Sequence, residues 1–402
     1  MKIQNKTRCL FVSHVPLGSI FGGGAGNSLL TFLQHQDFLE VDLILPFFVG
    51  RLFHLPKIIR QAFAEKPASV NKIYFLPLPW SSCFEGRQTS LKANLAYFIN
   101  NIIAYFALPL TRFIMGKPEY TFVHFNSVVL HQLVSKNSRH ILHVREILNK
   151  KSKFSNRAIH DLCNASGLIF IDKSTQEGFK KLSLGNLLPL QSIINNPFDM
   201  NEARDLRHER KAILQEYGFE SFNGKIFTCL GNIHPVKGTD LILKAFTESE
   251  IENARLLIVG TGNIEYMDYC RSIAENDNDR IIFMGMLDYH EVYKIYAISD
   301  FVVRGDPDFR TGRTTYEALY AGCYIIIPGN KKDLQSEPEL QAFMERILFY
   351  DPRETKSLVE AIKHAHSLKI ASPMTNTPTG NIEKNRNAMK EFFRSIIYAD
   401  NL

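Results

Sequence analysis

The sequence predicts an α/β protein of two domains, each organised around a parallel sheet, and three observations carry that expectation. Short continuous apolar runs alternate with stretches of helical period along most of the chain, as βα units require. Glycine clusters follow the ends of several of those runs, where an open sheet keeps its crevice. The length of 402 residues suits two domains of ordinary size, and 45% hydrophobic with 22% charged residues makes each a well-cored globular body.

Taken in order, Leu10–Ser13 is a first strand. A loop and the run Gly22–Ser28 follow, and then Leu29, Leu30, Phe32 and Leu33 give a helical face. Gly23 and Gly24 in that run allow a backbone to approach a phosphate or sugar closely. The spacing is not GxGxxG, and Asp42 comes too early to hold a ribose, so a dinucleotide cofactor is not expected. Val41–Leu45, Lys72–Leu76, Tyr120–Phe125, His140–Val144 and Leu168–Ile171 are further strands. Leu91–Met115 between them reads as a long, largely buried helix broken at Pro109; its Asn94, Asn100, Asn101 and Arg112 make it a poor membrane span. Two strands end in polar groups, His124–Phe125–Asn126 and His143–Val144–Arg145–Glu146. Each histidine is either a site group or a satisfied core imidazole, and Arg145–Glu146 is either functional or an internal ion pair.

Ile193–Pro197 is expected as a strand leaving the first domain, followed by a charged helix, Glu202–Tyr217. A second βα series then begins: the strand Ile226–Leu230, the loop Gly231–Gly238 and a helix from Thr239, its expected N-cap. Leu256–Val259, Gly260–Gly262 and a helix to Glu275 come next, then Ile281–Phe283 with Met284–Gly285 and a helix over Asp288–Ile298. Leu348–Tyr350 and Thr355–His366 close the series. Ser367–Gly380 is a connector, and Glu383–Tyr398 is an amphipathic terminal helix that needs a docking surface.

The centre of the second half is Arg304–Pro328. A buried strand ends at Arg304, Gly305–Gly312 is a turn-rich loop, Arg313–Ala321 is a helix closed by Gly322, and Cys323–Ile327 is the next parallel strand. The N-terminus of that helix, beside Gly312 and Thr314, favours a phosphate. Arg310 and Arg313 can add bidentate contacts, and Glu317 can accept from sugar hydroxyls. The alternative is an ordinary strand–loop–helix with solvated arginines. Lys237 and Gly238, Gly260–Gly262, Met284 and Arg310–Glu317 together give four successive strand ends with glycine or positive charge. No nucleophile–base pair and no metal-ligand spacing accompanies them, so the expectation is phosphate-leaving-group chemistry without a metal or a bound cofactor.

Composition limits the partners. Six scattered cysteines without a CxxC pair read as reduced core residues in the cytoplasm, and the N-terminus lacks the features of a signal peptide. From Lys92 to Arg157, ten Lys/Arg stand against Glu119 and Glu146, a net +8 where the whole chain has +6. Such a basic half suits a phosphorylated acceptor or an anionic membrane surface. Nucleic acid is not expected, because the aromatic-plus-basic pattern of an RNA-binding sheet is missing.

The succession GNIHPVKGTDLILKAF, LLIVGTG, IIFMGML, SDFVV and GRTTYEALYAGCYII resembles the donor domain of glycosyltransferase family 4. The resemblance covers roughly Lys225–Pro328 and is looser in the N-terminal half, where it rests on the glycine loop, VHFN and IINNP. It implies the GT-B fold, two Rossmann-like parallel-sheet domains facing a central cleft. The expected division is 1–196 on the acceptor side and 197–375 for the nucleotide-sugar. The segment 376–402 is the terminal helix, returning to the N-terminal domain. The resemblance further implies a hexosyltransferase-like enzyme that retains the anomeric configuration. It would move sugar from UDP- or GDP-sugar to a glycan or lipid-linked acceptor in cell-surface polysaccharide synthesis, as a cytoplasmic protein peripheral at the inner membrane face. Gly23, Gly24, Asn232, Lys237, Gly238, Gly262, Met284, Arg310, Gly312, Arg313, Thr314 and Glu317 would hold the donor, and His124, Asn126, Arg145 and Asp308 would line the reacting centre. Two positions depart from the family pattern: Asn232 stands where an arginine is usual, and Phe309, beside Asp308, where a glutamate is usual. Two other readings stay open, a GT-B nucleotide-sugar epimerase and a binding-only homologue.

Overall fold

The computed structural model describes the chain apart from residues 1–5, 48–52, 79–90, 137, 147, 149–155, 183–188, 310, 371–378 and 399–402. The chain forms two compact units, Met1–Pro197 with Ile382–Leu402, and Phe198–Asn381. Arg310 and the lysines Lys150, Lys151 and Lys153 lie outside the described residues.

The first unit runs β1 (Thr7–Val12), α1 (Ser19–His35), β2 (Leu39–Pro46), α2 (Leu55–Ala64), β3 (Val70–Leu76), α3 (Leu91–Met115), β4 (Val123–Phe125), β5 (His140–Val144), α4 (Asn156–Cys163), β6 (Gly167–Phe170), α5 (Lys173–Lys180) and β7 (Leu190–Ile193). Its described strands form one sheet in the order β3-β2-β1-β4-β5-β6-β7, every ladder parallel. β1 is central and buried on both faces, which is why its sequence is a continuous apolar run. Alternate residues serve opposite layers. Leu10 and Val12 join Phe125, Leu142 and Leu168 on one face, and Cys9 and Phe11 join Leu29, Phe32 and Leu33 of α1 on the other.

The second unit runs α6 (Asn201–Asp205), α7 (Arg210–Glu216), β8 (Lys225–Leu230), α8 (Thr239–Glu248), β9 (Ala254–Val259), α9 (Ile264–Ala274), β10 (Ile281–Gly285), α10 (Tyr289–Ile298), β11 (Phe301–Val303), α11 (Arg313–Tyr320), β12 (Tyr324–Pro328), α12 (Pro338–Gln341), β13 (Ile347–Tyr350) and α13 (Thr355–Ser367). Its sheet is again parallel throughout, in the order β10-β9-β8-β11-β12-β13. The last helix, α14 (Ile382–Tyr398), belongs to the first unit. It buries Met389, Phe392, Phe393 and Ile396 against the α1 side of that sheet. Gly167 permits the approach, since a Cβ there would come within 2.8 Å of both Phe392 and Ile396.

Several sequence expectations need correction. The glycine run is not a loop before a helix. α1 starts at Ser19, and Gly23 (φ 54°, ψ −154°) interrupts it from inside. The strand expected over Ile193–Pro197 is instead β7, ending at Ile193, because Asn195 turns to donate to the Ile171 carbonyl at 3.1 Å. The single helix expected over Glu202–Tyr217 is split by a 3₁₀ turn, Leu206–Glu209, where Arg207 turns to donate to the Ala321 and Ser299 carbonyls. Thr239 is the first helical residue of α8 rather than its cap; the cap is Gly238 at φ 60°, and Thr239 is buried. α3 is neither buried nor ended by Pro109. It continues to Met115 and exposes much of its apolar surface. Among the described residues, no helix is long and apolar enough to cross a membrane.

Candidate functional site

In both units the chain builds outward from a central strand in one direction and then in the other. The connection reverses between β1 and β4 in the first sheet and between β8 and β11 in the second. Loops leaving such neighbouring strands diverge and open a crevice at their carboxyl ends.

In the second unit that crevice is framed by Gly231–Gly238 and Gly305–Gly312. The two loops touch through backbone: a Cβ on Gly238 would lie 2.0 Å from the Gly305 carbonyl oxygen, and one on Gly305 would lie 2.3 Å from that of Gly238. Gly262 is equally constrained, 1.9 Å from the Ile233 carbonyl oxygen by the same measure, where β8 and β9 continue as a bridge. Met284, near the end of β10, is half-buried, and a Cβ on the neighbouring Gly285 (φ 73°) would meet nothing within 4 Å.

A chain of charge crosses this contact. Arg304, buried at the end of β11, donates from Nε (2.8 Å) and Nη2 (2.6 Å) to Asp306 Oδ2, and from Nη1 to Thr315 Oγ1 at 3.0 Å. Lys237 Nζ reaches Asp306 Oδ1 at 3.1 Å while its side chain stays 47% exposed. Burial alone would raise the Asp306 carboxyl, but Arg304 and Lys237 outweigh it and hold the group ionised, below the usual carboxylate range.

α11 starts at this network. Gly312 caps it without a side-chain bond, and a Cβ there would strike the Arg304 guanidinium at 2.5 Å. Its positive end, with Thr314 half-buried beside it, therefore faces the same loops. Its other end is closed by Gly322 (φ 90°), with Cys323 N–H donating to the Ala318 carbonyl and Gly322 N–H to that of Leu319. Within the helix Arg313 is ion-paired to Glu317, which also accepts from the Tyr296 hydroxyl at 2.9 Å. Of the two readings of Arg313, solvation is excluded: its side chain is only 11% exposed. Asn232 and Asp308 lie exposed on the loops.

The crevice of the first unit is built differently. Arg145 donates from Nε to the Asn126 carbonyl (2.9 Å), from Nη2 to Asn126 Oδ1 (2.6 Å), and also to Asn196. Asn126 in turn donates weakly to the Ala25 carbonyl in the glycine run at 3.4 Å. The sequence-predicted residues Asn126, Arg145 and the Gly23–Gly24 segment therefore do converge. His124 does not join them as a presented group. It is a core residue, its ring 4.4 Å from that of Phe11 and 5.9 Å from that of Phe393, because its position on β4 points it into the α1–α14 layer. Burial, with Arg145 nearby, lowers its pKa to about 3, so the ring is neutral. Arg145 and Glu146 are not a closed ion pair. Burial pushes the Glu146 carboxyl up to about 7 against the pull of Arg145, and its Oε2 has no hydrogen-bond partner among the described residues.

Sequence reasoning missed Arg304, Asp306, Thr315 and Tyr296. The available signal was an arginine at the end of a buried strand with an acid two residues later, Arg304–Gly305–Asp306. Among the described residues, no group of three His, Cys, Asp or Glu is placed to ligate a metal ion.

Two parallel-sheet α/β units with these strand orders match the GT-B fold. Residues 215–372 match the family described as glycosyl transferases group 1. With the fold, that match supports a glycosyltransferase enzyme. Among curated proteins, none matches the chain in sequence. Its fold is similar to that of Anabaena HepE in complex with UDP and glucose (15% identity, TM-score 0.67, 97% of this chain and 100% of that one). It is also similar to sucrose-phosphate synthase from Thermosynechococcus elongatus (15% identity, TM-score 0.65, covering 98% and 100%). A third similar structure is the trehalose-6-phosphate synthase OtsA (12% identity, TM-score 0.67, covering 96% and 98%).

Proposed function

We propose that this glycosyltransferase takes its sugar from a UDP- or GDP-sugar and delivers it, with retention at the anomeric carbon, to a glycan or lipid-linked acceptor of cell-surface polysaccharide synthesis. The observation that carries the donor reading is the pairing of Lys237 with Asp306 where the β8 and β11 loops touch, beside the N-terminus of α11. In the transfer the bond from the anomeric carbon to the diphosphate oxygen breaks, and a bond to an acceptor hydroxyl oxygen forms. The acceptor proton is released and the nucleoside diphosphate leaves with its negative charge. Lys237 and the α11 N-terminus supply preorganised positive potential for that leaving group. Gly238, Gly262, Met284 and Gly312 let the nucleotide lie against backbone, while Glu317, steadied by Tyr296 and Arg313, turns a carboxylate toward the ribose hydroxyls. Asn126 and Arg145 serve the acceptor. The UDP and glucose bound by HepE, a protein of similar fold, are consistent with the donor class.

Calorimetry with UDP and GDP tests the site. Lys237→Ala is expected to weaken nucleotide binding by roughly 1.5–3 kcal/mol, the range for a hydrogen bond to a charged group, with the circular dichroism spectrum unchanged. Unaltered affinity for both nucleotides would overturn the assignment. Release of free nucleotide, measured with and without glycan acceptors, tests the reaction. Acceptor-dependent release with sugar transfer supports the proposal. Epimerised sugar or nucleotide binding without turnover would replace it, the latter in keeping with Asn232 and Phe309 at the two unusual positions.

A further inference from the structure

We propose that Asp306 opposes the binding of diphosphate in the second unit's crevice. It competes with the ligand for Lys237 and keeps a negative charge beside the N-terminus of α11, so the nucleoside diphosphate left by transfer is held less tightly. This rests on the donor site proposed above, and adds to it a residue that works against binding where the others favour it.

The two oxygens of the carboxylate have different partners. Oδ2 takes both bonds from Arg304, at 2.8 and 2.6 Å, and Oδ1 takes the bond from Lys237, at 3.1 Å. The Arg304 side of this arrangement is closed: Asp306 is 1% exposed and Arg304 9%. The Tyr350 hydroxyl also fixes the end of β11 by donating to the Arg304 carbonyl at 2.7 Å. Lys237 comes from the other loop on a half-exposed side chain. An ion pair with so exposed a partner contributes little, and an ammonium carries three donors on a flexible stem. A diphosphate can therefore draw Lys237 outward. Asp306 stays behind with Arg304, which reaches on to Thr315 in the first turn of α11.

The consequence follows from charge. Lys237 and Arg304 alone would offer two positive charges beside the α11 N-terminus, and Asp306 cancels one of them. Breaking the bond to the anomeric carbon adds a negative charge to the departing diphosphate. Repulsion from Asp306 therefore weighs more on the product than on the donor. Binding both more tightly would not speed the reaction, and a crevice without the carboxylate would favour the product.

Calorimetry on the full chain with UDP, GDP, uridine and guanosine provides the test. Asp306→Asn is expected to tighten binding of whichever diphosphate the parent takes by about tenfold, the scale of one unit charge acting through a partly screened crevice. The matching nucleoside should bind as before, and Asp306→Glu, which keeps the charge, should bind the diphosphate as the parent does. Where the loss of Arg304's counter-charge leaves Asp306→Asn unfolded at the assay temperature, its combination with Arg304→Lys keeps the charge balance with a more flexible cation and carries the same expectation. The proposal is overturned if the folded Asn variant binds the diphosphate no more tightly than the parent. It is equally overturned if the nucleoside gains as much, or if Asp306→Glu gains as much as Asp306→Asn. A parent that binds neither UDP nor GDP would instead overturn the donor site itself, and this proposal with it.

Discussion

The two units solve the same topological problem with opposite chemistry. In each, the sheet reverses direction beside its central strand, and polar residues gather at the carboxyl ends flanking the reversal. Around the β1–β4 reversal the buried polar groups include two neutral imidazoles, His124 and His143, packed edge to face, with Arg145 spending its donors on Asn126, Asn196 and His143. Around the β8–β11 reversal no imidazole is buried among the described residues. There a carboxylate, Asp306, is locked between Arg304 and Lys237 while glycines keep the backbones in contact. The neutral arrangement makes a rigid wall that resists protonation. The charged one holds a lysine half-exposed at a fixed place, paired on one side with Asp306. The same scaffold therefore carries a neutral framework in one unit and a charged crevice in the other, according to which side chains the strand ends carry.

The largest effect expected from that contrast is an acid response confined to the first unit. Burial, reinforced by Arg145, lowers the folded-state pKa of His124 to about 3 and that of His143 well below the ordinary value. The unfolded chain takes up these protons first as the pH falls below about 6.5, so their stabilising contribution is intact above that and is lost progressively toward pH 3. At pH 5 the loss at His124 is about 2 kcal/mol and His143 adds to it, while the Glu146 carboxyl, raised to about 7, gives part of that back because the folded chain takes up its proton first. The only tryptophan, Trp80, lies in the chain segment of the first unit. Urea unfolding followed by its fluorescence should therefore show the midpoint falling between pH 7.5 and 5. Nucleotide binding should be affected less over that range, and equal sensitivity of the two would break the contrast.

Next in size is Asp306→Asn, which keeps shape but leaves the buried Arg304 without its counter-charge. A cost of roughly 2–3 kcal/mol is expected, read as a lower thermal midpoint that bound UDP or GDP partly restores. A variant as stable as the parent would mean that Arg304 and Lys237 do not depend on the carboxylate. Smallest is the pair Gly23→Ala and Gly24→Ala. A Cβ at either position meets nothing within 4 Å, but only Gly23 has positive φ. The first should therefore cost about 1 kcal/mol and the second under ~0.5 kcal/mol. Equal effects would show that the kink in α1 does not require glycine.

What the sequence determined by itself was the succession of buried strands and their helices. Parallel strands covered on both faces must be apolar throughout, so Leu10–Val12, Ile226–Leu230 and Cys323–Ile327 announce themselves locally, and Gly322 marks a helix end by its conformational freedom. The glycines at the second unit's strand ends and Lys237 were legible for the same local reason, and the convergence of Asn126 and Arg145 could be anticipated from their places after β4 and β5. Tertiary structure alone decided everything that depends on a partner distant in sequence. It put His124 between Phe11 and Phe393, joined Lys237 to Asp306 across 69 residues, brought the Tyr296 hydroxyl to Glu317, and bent the chain at Arg207 toward carbonyls more than 90 residues away. It also left α3 with an apolar face and nothing covering it among the described residues. Periodicity reports that a residue is apolar and on a helix, but burial requires a complementary surface, and that surface exists only once the rest of the chain has packed.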